Sequence, residues 1–164
     1  MKSTHRTLVV LATLFLGTLA HAVDSSKIQQ FAKAIAKAEG FGVKGSVATR
    51  YHNPGNMKAL TAHSYPGQCG LEKRRGYIVF CNDNAGWQAL YRLVARFLDG
   101  ESTRYNLNMT FFEFGKRYAG PSIWAKNVSK NLGVSVHTAL WEFFEVPPLV
   151  RFQQNHTLMA EVLR

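Results

Sequence analysis

The stretch DSSKIQQFAKAIAKAEGFG, residues 24–42, decides the fold of this chain. Its apolar residues recur at steps of three and four, which is the period of one face of an α-helix. Asp24 and the two serines after it carry oxygen atoms that are suited to cap the first turn. Gly40 and Gly42 favour the left-handed backbone conformation in which helices end. The stretch therefore predicts a helix over residues 25–39.

Glu39 is the last residue of this predicted helix, where a carboxylate is out of place. The carboxyl end of a helix carries partial negative charge, so Lys or Arg is favoured there and the pKa of an acid tends upward. Glu39 is then either an exposed residue whose placement costs little, or an acid kept protonated for a chemical purpose. The residues alone leave both interpretations open.

The chain after Glu39 predicts a long loop followed by a β-hairpin. Residues 40–66 are rich in Gly, Ser, Thr, Asn, Pro and His, and Asn-Pro-Gly-Asn at 53–56 is a strong turn signal. A loop of this length in a small domain is typically functional or mobile. Residues 67–84 predict the hairpin, because the β-formers YIVFC follow the polar turn EKRRG there.

Helical patterns fill the rest of the chain. The predicted helices cover residues 84–98, 111–118, 122–132, 136–144 and 149–163. Thr110 and Glu113 have the spacing of a capping box, and Ser135 is a candidate cap for the fourth of these helices. The expected fold class is mainly α, as a helical α+β domain with one small β-hairpin inserted after the first helix.

Residues 1–22 have the composition of a secretory signal peptide. A basic start precedes the apolar run LVVLATLFLGTL, which is too short to span a bilayer comfortably, and Ala-His-Ala at 20–22 suits a signal peptidase. An uncleaved membrane anchor is the alternative. We expect cleavage after Ala22 and a periplasmic or secreted location. Contact with the membrane is then made only through the transient signal peptide. Residues 23–164 are expected to form one domain.

The charge of the chain is strongly positive, with 20 Lys and Arg against 10 Asp and Glu. A basic exported protein suits an anionic partner, which could be the bacterial wall, with its peptide carboxylates and acidic polymers, or nucleic acid. Charge alone does not choose between these partners. Export and a disulfide argue against nucleic acid, so we expect no nucleic-acid partner.

Cys69 and Cys81 are the two cysteines of the chain. In an oxidising compartment a pair so close in sequence predicts a disulfide, which the chain-entropy relation values at about 3 kcal/mol. A redox or metal pair is the weaker alternative, because C-x-x-C spacing and a second pair of ligands are absent. The histidines have no metal spacing either. The sequence therefore predicts neither a metal nor a cofactor.

Glu39 and the loop after it have the residue types that cleavage of a glycosidic bond requires. Such cleavage needs a proton donor with a raised pKa beside an apolar wall, and apolar residues flank Glu39. The amides of Asn53 and Asn56 are suited to N-acetyl groups and hydroxyls, although both residues could simply shape the turn. Flat faces for stacking on sugars are offered by Trp87, Trp124, Tyr118 and Tyr51.

Hydrolysis by the usual two-acid mechanisms also needs a second carboxylate. The candidates near the hairpin are Glu72 and Asp83. Glu72 lies in Glu-Lys-Arg-Arg, which is typical of a solvated turn, and Asp83 is suited to form a turn or to cap a helix. Neither residue is a strong candidate for the second catalytic carboxylate, and this favours a mechanism that uses one glutamate.

The sequence resembles a lysozyme-like family of phage and bacterial cell-wall proteins. Those proteins show A-x-x-E-G at a helix end followed by R-x-N-N-P-G-N, and the matching stretches here are AIAKAEGFG at 34–42 and RYHNPGNM at 50–57. Further similar pieces are GWQAL at 86–90, FEFGKRYA at 112–119 and the helix end at 127–134. The resemblance covers about residues 27–140. The chain differs from the family at His52, where asparagine is usual.

The resemblance implies a lysozyme-like fold in which Glu39 is the general acid. The segment Asn53–Met57 also looks like the Gly-Leu-Met-Gln loop of soluble lytic transglycosylases, which implies that Gly55, Asn56 and Met57 lie beside the sugar. Tyr118 falls where those enzymes carry a cleft tyrosine. These positions are the substrate-binding residues that the resemblance implies.

The expected function is that of a monomeric exported enzyme that cleaves peptidoglycan glycan strands. We expect a lytic transglycosylase, in which Glu39 acts as acid and then as base on the MurNAc-GlcNAc β-1,4 bond. Two alternatives stay open at this stage. One is a muramidase, which is a hydrolytic lysozyme, and the other is a non-catalytic, peptidoglycan-binding or structural subunit of an envelope apparatus.

Overall fold

The computed structural model describes residues 23–59 and 65–147. Two predicted segments, the signal peptide at 1–22 and the last helix at 149–163, lie outside the described residues. Within the described ranges, no helix has the length and apolar character that crossing a membrane requires.

The described residues form a mainly helical fold with one two-stranded antiparallel sheet. The elements in chain order are α1 (Ser25–Ala38), α2 (Val47–Arg50), β1 (Gln68–Leu71), β2 (Ile78–Phe80), α3 (Asp83–Leu98), α4 (Phe111–Tyr118), α5 (Ser122–Leu132) and α6 (Leu140–Phe143). At this level the predicted class is confirmed, because a helical domain carries a small hairpin after its first helix.

Helix α1 forms the centre of the main hydrophobic core. Its residues Phe31 and Ile35 are fully buried, and it packs against α3 and α5. Burying a side chain of this size contributes roughly 1.5–3 kcal/mol relative to leaving it exposed. Asp24 caps the helix as predicted, since its carboxylate accepts a hydrogen bond from the Ser26 amide at 2.8 Å. The core therefore fixes the position at which α1 ends.

Helices α4 and α5 pack closely together through a glycine. A Cβ atom at Gly115 would lie 2.5 Å from the Cβ of Ala125, so a larger residue would push the two helices apart. The predicted capping box begins α4, because the Glu113 amide donates to Thr110 Oγ1 at 3.2 Å and the Thr110 amide donates to Glu113 Oε2 at 2.8 Å. This packing fixes the inner faces of both helices.

The hairpin joins β1 and β2, with Gln68 opposite Phe80 and Leu71 opposite Ile78. The predicted disulfide is confirmed, since Cys69 and Cys81 are bonded across the two arms with their Cα atoms 5.1 Å apart. The chain before the hairpin is attached to it as well. The Ile78 amide donates to the Met57 carbonyl at 3.0 Å, and Lys58 forms an isolated bridge with Tyr77.

Two local expectations were wrong. The loop predicted over residues 40–66 contains α2, which begins where Ser46 Oγ accepts a hydrogen bond from the Thr49 amide. A single turn is too short to show a hydrophobic period in the sequence. The helix predicted at 136–144 is only α6, because Ser135 Oγ binds the His137 amide in a turn and does not cap a helix.

Candidate active site

Glu39 is the residue at which α1 ends, and the backbone around it explains why. The Gly40 amide donates to the Lys37 carbonyl at 3.1 Å, and the Phe41 amide donates to the Ala36 carbonyl at 2.9 Å. This pattern is the Schellman motif, which needs a left-handed residue after the cap, and Gly40 has φ +76°. The glycine therefore turns the chain and leaves the Glu39 side chain at the rim of the core.

The carboxyl group of Glu39 accepts two hydrogen bonds from side chains that are distant in sequence. Trp124 Nε1 donates to Oε1 at 2.8 Å, and Asn56 Nδ2 donates to Oε2 at 2.6 Å. Burial raises the pKa of Glu39, whereas the bonds from Asn56 and Trp124 and the positive charge of Lys58 act to lower that pKa. Burial is the largest of these effects, so the neutral acid is favoured relative to an exposed glutamate.

Asn53 holds the loop that carries Asn56. Its side chain is fully buried, and its amide nitrogen donates to the carbonyls of Met57 and Ile78, both at 2.9 Å. Its side-chain oxygen accepts from the Met57 amide at 2.8 Å. Both polar atoms of the side chain that was predicted to contact sugar are therefore bonded to main chain inside the protein. Through its bond to the Ile78 carbonyl, Asn53 attaches the loop to β2.

Asn56 turns its side chain toward Glu39 from a left-handed backbone position. Its φ is +44°, a conformation that asparagine adopts more readily than most residues with a side chain. Its Oδ1 atom is buried and has no hydrogen-bond partner among the described residues. The amide nitrogen of Asn56 thus binds the carboxyl group, while its amide oxygen accepts no hydrogen bond from the described residues.

A hydrogen bond between Tyr118 and Gly55 attaches the same loop to α4. The Tyr118 hydroxyl donates to the Gly55 carbonyl at 2.5 Å. A Cβ atom at Gly55 would lie 2.8 Å from that hydroxyl and 3.0 Å from Leu90 Cδ1, so the close approach requires glycine. Burial raises the pKa of Tyr118 well above 10, which keeps the hydroxyl protonated at neutral pH. Tyr118 lines the cleft as the resemblance implies, but its hydroxyl is engaged by the loop.

Trp124 and Tyr118 form a stacked aromatic wall beside Glu39. Their ring centroids are 4.9 Å apart and their planes are inclined by 20°. Trp124 is 7% exposed, so the stacking surface predicted for it is largely covered. Its indole N–H, which must find an acceptor when buried, is directed at the carboxyl group instead. Sequence reasoning missed this bond because nothing in the local pattern links residues so far apart.

A cleft of about 410 Å³ opens over Glu39. Its walls carry aromatic rings, amides and cations from the loop, the hairpin, α3 and α4. The lining residues are Glu39, Asn56, Met57, Lys58, Tyr65, Tyr77, Leu93, Arg104, Tyr105, Tyr118 and Ala119. The cleft thus brings together four of the predicted site residues, Glu39, Asn56, Met57 and Tyr118. Gly55 is hydrogen-bonded to the last of them.

Glu39 is the single carboxylic acid among the described residues that line this cleft. The two candidates for a second acid are used elsewhere. Glu72 accepts hydrogen bonds from the amides of Arg74 and Arg75 at 2.9 and 2.7 Å and so shapes the hairpin turn. Asp83, the first residue of α3, pairs with His52 Nδ1 at 2.7 Å. The arrangement can donate and take back a proton through one carboxyl group.

Residues 23–59 and 65–147 contain no group of three or more His, Cys, Asp and Glu side chains that could hold a metal ion. His63 and His156 lie outside these ranges. Comparisons with models of protein families, with curated proteins and with solved structures found no match to this chain.

Proposed function

We propose that this protein is an exported peptidoglycan lytic transglycosylase with a lysozyme-like fold, in which Glu39 is the only acid and base. The observation that carries the proposal is the position of Glu39. It is a partly buried carboxyl group with a raised pKa beside an aromatic wall, and it is the one acid among the described residues that line an open cleft. A proton donor of this kind is what protonation of a glycosidic oxygen requires.

The reaction proceeds in two proton transfers through the same carboxyl group. Glu39 gives its proton to the oxygen that links MurNAc to GlcNAc, and the electron pair of the breaking C1–O bond goes to that oxygen. The O6 atom of the MurNAc then bonds to C1, and its hydroxyl proton passes to the Glu39 carboxylate. A 1,6-anhydro ring closes, no water is consumed, and Glu39 ends the cycle protonated again.

The hydrogen bonds of Glu39 suit both halves of this cycle. The indole N–H of Trp124 can only donate, so it favours the carboxylate and leaves Oε2 as the oxygen that carries the proton. Oε2 faces the amide of Asn56. In one orientation the amide nitrogen donates to the carboxylate; turned end for end, the amide oxygen accepts the carboxyl proton. Asn56 can therefore hydrogen-bond Oε2 in both protonation states of Glu39.

The absence of another acid from the described lining supports transglycosylation over hydrolysis. Hydrolases of the two-acid type use a second carboxylate as nucleophile or to activate water. Glu72 and Asp83 are each held by their own hydrogen-bond partners and lie outside the cleft lining. A single carboxyl group is sufficient when the attacking oxygen belongs to the sugar itself.

The test is the release of soluble fragments from purified sacculi by the chain without residues 1–22. We expect release by the wild type, and a loss of at least about a hundredfold in Glu39→Gln, since general acid catalysis contributes typically 10²–10⁴-fold. Glu72→Gln serves as the matched control and should retain most of the activity, because Glu72 lies outside the cleft lining. Release by Glu39→Gln at the wild-type rate would overturn the proposal.

A further inference from the structure

Two cations line the cleft over Glu39, and among the described residues neither forms an ion pair with a carboxylate. Lys58 and Arg104 belong to its lining. Three ion pairs occur among the described residues, Lys27–Glu145, His52–Asp83 and Arg96–Glu101, and neither Lys58 nor Arg104 takes part in them. The positive charge at the cleft is therefore available to a bound anion.

The cation on the hairpin side of the cleft is held by an aromatic ring. Lys58 Nζ lies 4.9 Å from the centroid of the Tyr77 ring, and the backbone bridge between these residues sets them side by side. The guanidinium carbon of Arg75 lies 5.1 Å from the centroid of the same ring. A ring attracts a cation without cancelling its charge, so the positive charge of Lys58 persists at this edge.

The cation on the helical side is held by a ring and by main-chain oxygen. The guanidinium carbon of Arg104 lies 5.6 Å from the centroid of Tyr105. Arg104 Nη2 donates to the carbonyl of Arg117, and Arg117 Nη1 donates to the carbonyl of Arg104 at 2.9 Å. These bonds hold the Arg104 guanidinium group in place with its charge kept, because a main-chain carbonyl carries no net charge. A positive group on each side of the cleft favours an anionic ligand there.

We propose that Lys58 and Arg104 bind carboxylates carried by the muramoyl residues of the glycan, so that the cleft selects acidic strands over neutral ones. The inference rests on the proposed function, because it takes a glycan strand as the occupant of the cleft. Two sources supply this carboxylate chemistry. One is the lactyl group of a muramic acid without its peptide, and the other is the stem peptide attached to it.

The experiment measures binding with the catalytically inert Glu39→Gln chain, so that no ligand is consumed. Three soluble ligands of equal length are compared: strands that keep their stem peptides, strands stripped of peptide by an amidase, and neutral chitin oligomers. We expect carboxylate-bearing strands to bind at least about tenfold more tightly than chitin. Lys58→Met and Arg104→Met, each added to Glu39→Gln, should each reduce that binding about five- to tenfold and leave chitin binding unchanged.

The matched control is Lys33→Met in the same background, which removes one exposed positive charge from α1 outside the cleft lining. It should change binding less than twofold, and thermal unfolding of each variant verifies that the fold is retained. If stripped strands bind as well as peptide-bearing strands, the lactyl carboxylate is the ligand. If only peptide-bearing strands show the preference, the stem peptide is the ligand.

Equal affinity for chitin and for both carboxylate-bearing strands would overturn the inference. An equal loss in Lys33→Met and Lys58→Met would also overturn it, because the effect would then belong to the charge of the whole molecule. Neither result depends on turnover. A chain that binds selectively but releases nothing from sacculi would instead contradict the proposed function and leave the selectivity established.

Discussion

At the scale of single residues, the two hydrogen bonds that Glu39 accepts oppose the effect of burial on its pKa. Burial favours the neutral acid, whereas the N–H groups of Trp124 and Asn56 favour the carboxylate. The balance leaves the pKa of Glu39 above its ordinary value. An acid adjusted in this way keeps its proton closer to neutral pH than an exposed glutamate does, and it can still release that proton to a leaving group.

The substitution Trp124→Phe tests this balance. Because the indole N–H stabilises the charged carboxylate, its loss should raise the pKa of Glu39 further and move the alkaline limb of the kcat/KM profile to higher pH. The measurement is the pH dependence of fragment release from a soluble peptidoglycan substrate. Trp87→Phe is the control, since Trp87 packs on Tyr91 and Phe41 away from the carboxyl group. A limb that stays in place or moves to lower pH would contradict the assigned bond.

The substitution Glu39→Gln should stabilise the protein, and more so as the pH rises. Glu39 has a higher pKa in the folded chain than in the unfolded chain, so the folded state binds more protons in the window between the two values. The free energy of unfolding of the wild type therefore falls as the pH rises through that window, whereas the glutamine variant has no such loss. Each unit of pKa difference corresponds to about 1.4 kcal/mol.

Thermal unfolding of both chains below and above that window measures the effect. The gain in Tm should be smallest below the ordinary pKa of glutamate and should level off above the raised pKa. Glu101→Gln, which removes an exposed carboxylate paired with Arg96, should show no gain that grows with pH. A gain of the same size at every pH would mean that burial does not raise the pKa of Glu39.

At the scale of elements, the start of α3 fixes the loop that carries Asn56. A Cβ atom at Gly86 would lie 1.9 Å from the His52 carbonyl oxygen and 2.8 Å from Pro54 Cδ. The helix can approach the loop only because that atom is missing. The pair of His52 with Asp83 and the bonds of Asn53 to β2 fasten the same loop from two further sides.

The substitution Gly86→Ala is therefore expected to displace the loop or the helix, because backbone atoms cannot yield as a flexible side chain does. Overpacking of this kind costs typically 1–3 kcal/mol, occasionally more, and should lower both stability and fragment release. Gly70→Ala is the control, since its methyl group would lie 3.8 Å from the Val79 Cβ in ordinary contact. Chemical denaturation measures both variants, and an equal effect in the two would refute the close approach.

The elements show which parts of the fold the sequence could predict. The range of α1, its end at a glycine, the capping box of α4 and the disulfide all follow from residues that are close along the chain. The bond between Trp124 and Glu39 joins residues 85 positions apart, so no local pattern could reveal it. Asn53 was predicted to contact sugar because its amide suits N-acetyl groups and hydroxyls. Its burial depends on β2, which only the folded chain brings to it.

At the scale of the whole molecule, the residue that follows the predicted cleavage site belongs to the main core. Val23 is 7% exposed and packs in the main hydrophobic cluster. Cleavage of the chain after Ala22 would therefore remove the predicted signal peptide and keep every described residue of that cluster. The disulfide that ties the hairpin is the kind of bond that the predicted export to an oxidising compartment would allow to form.

Expression of the full chain with its own first 22 residues in a bacterial host tests that expectation. We expect the periplasmic or secreted product to have Val23 at its amino terminus and a disulfide between Cys69 and Cys81. Intact mass and amino-terminal sequencing measure both features. A membrane-bound product that keeps Lys2 and Arg6 would show that the segment is an uncleaved anchor instead.

Cleavage of the glycan by one glutamate without water can be measured by the masses of fragments released from sacculi in water enriched in heavy oxygen. We expect fragments that end in 1,6-anhydromuramic acid, each lighter by one water than a hydrolytic product and free of the heavy isotope. These fragments should be lost in Glu39→Gln. Reducing ends that carry the isotope would overturn the proposed reaction, because they would require an attacking water and a group to activate it.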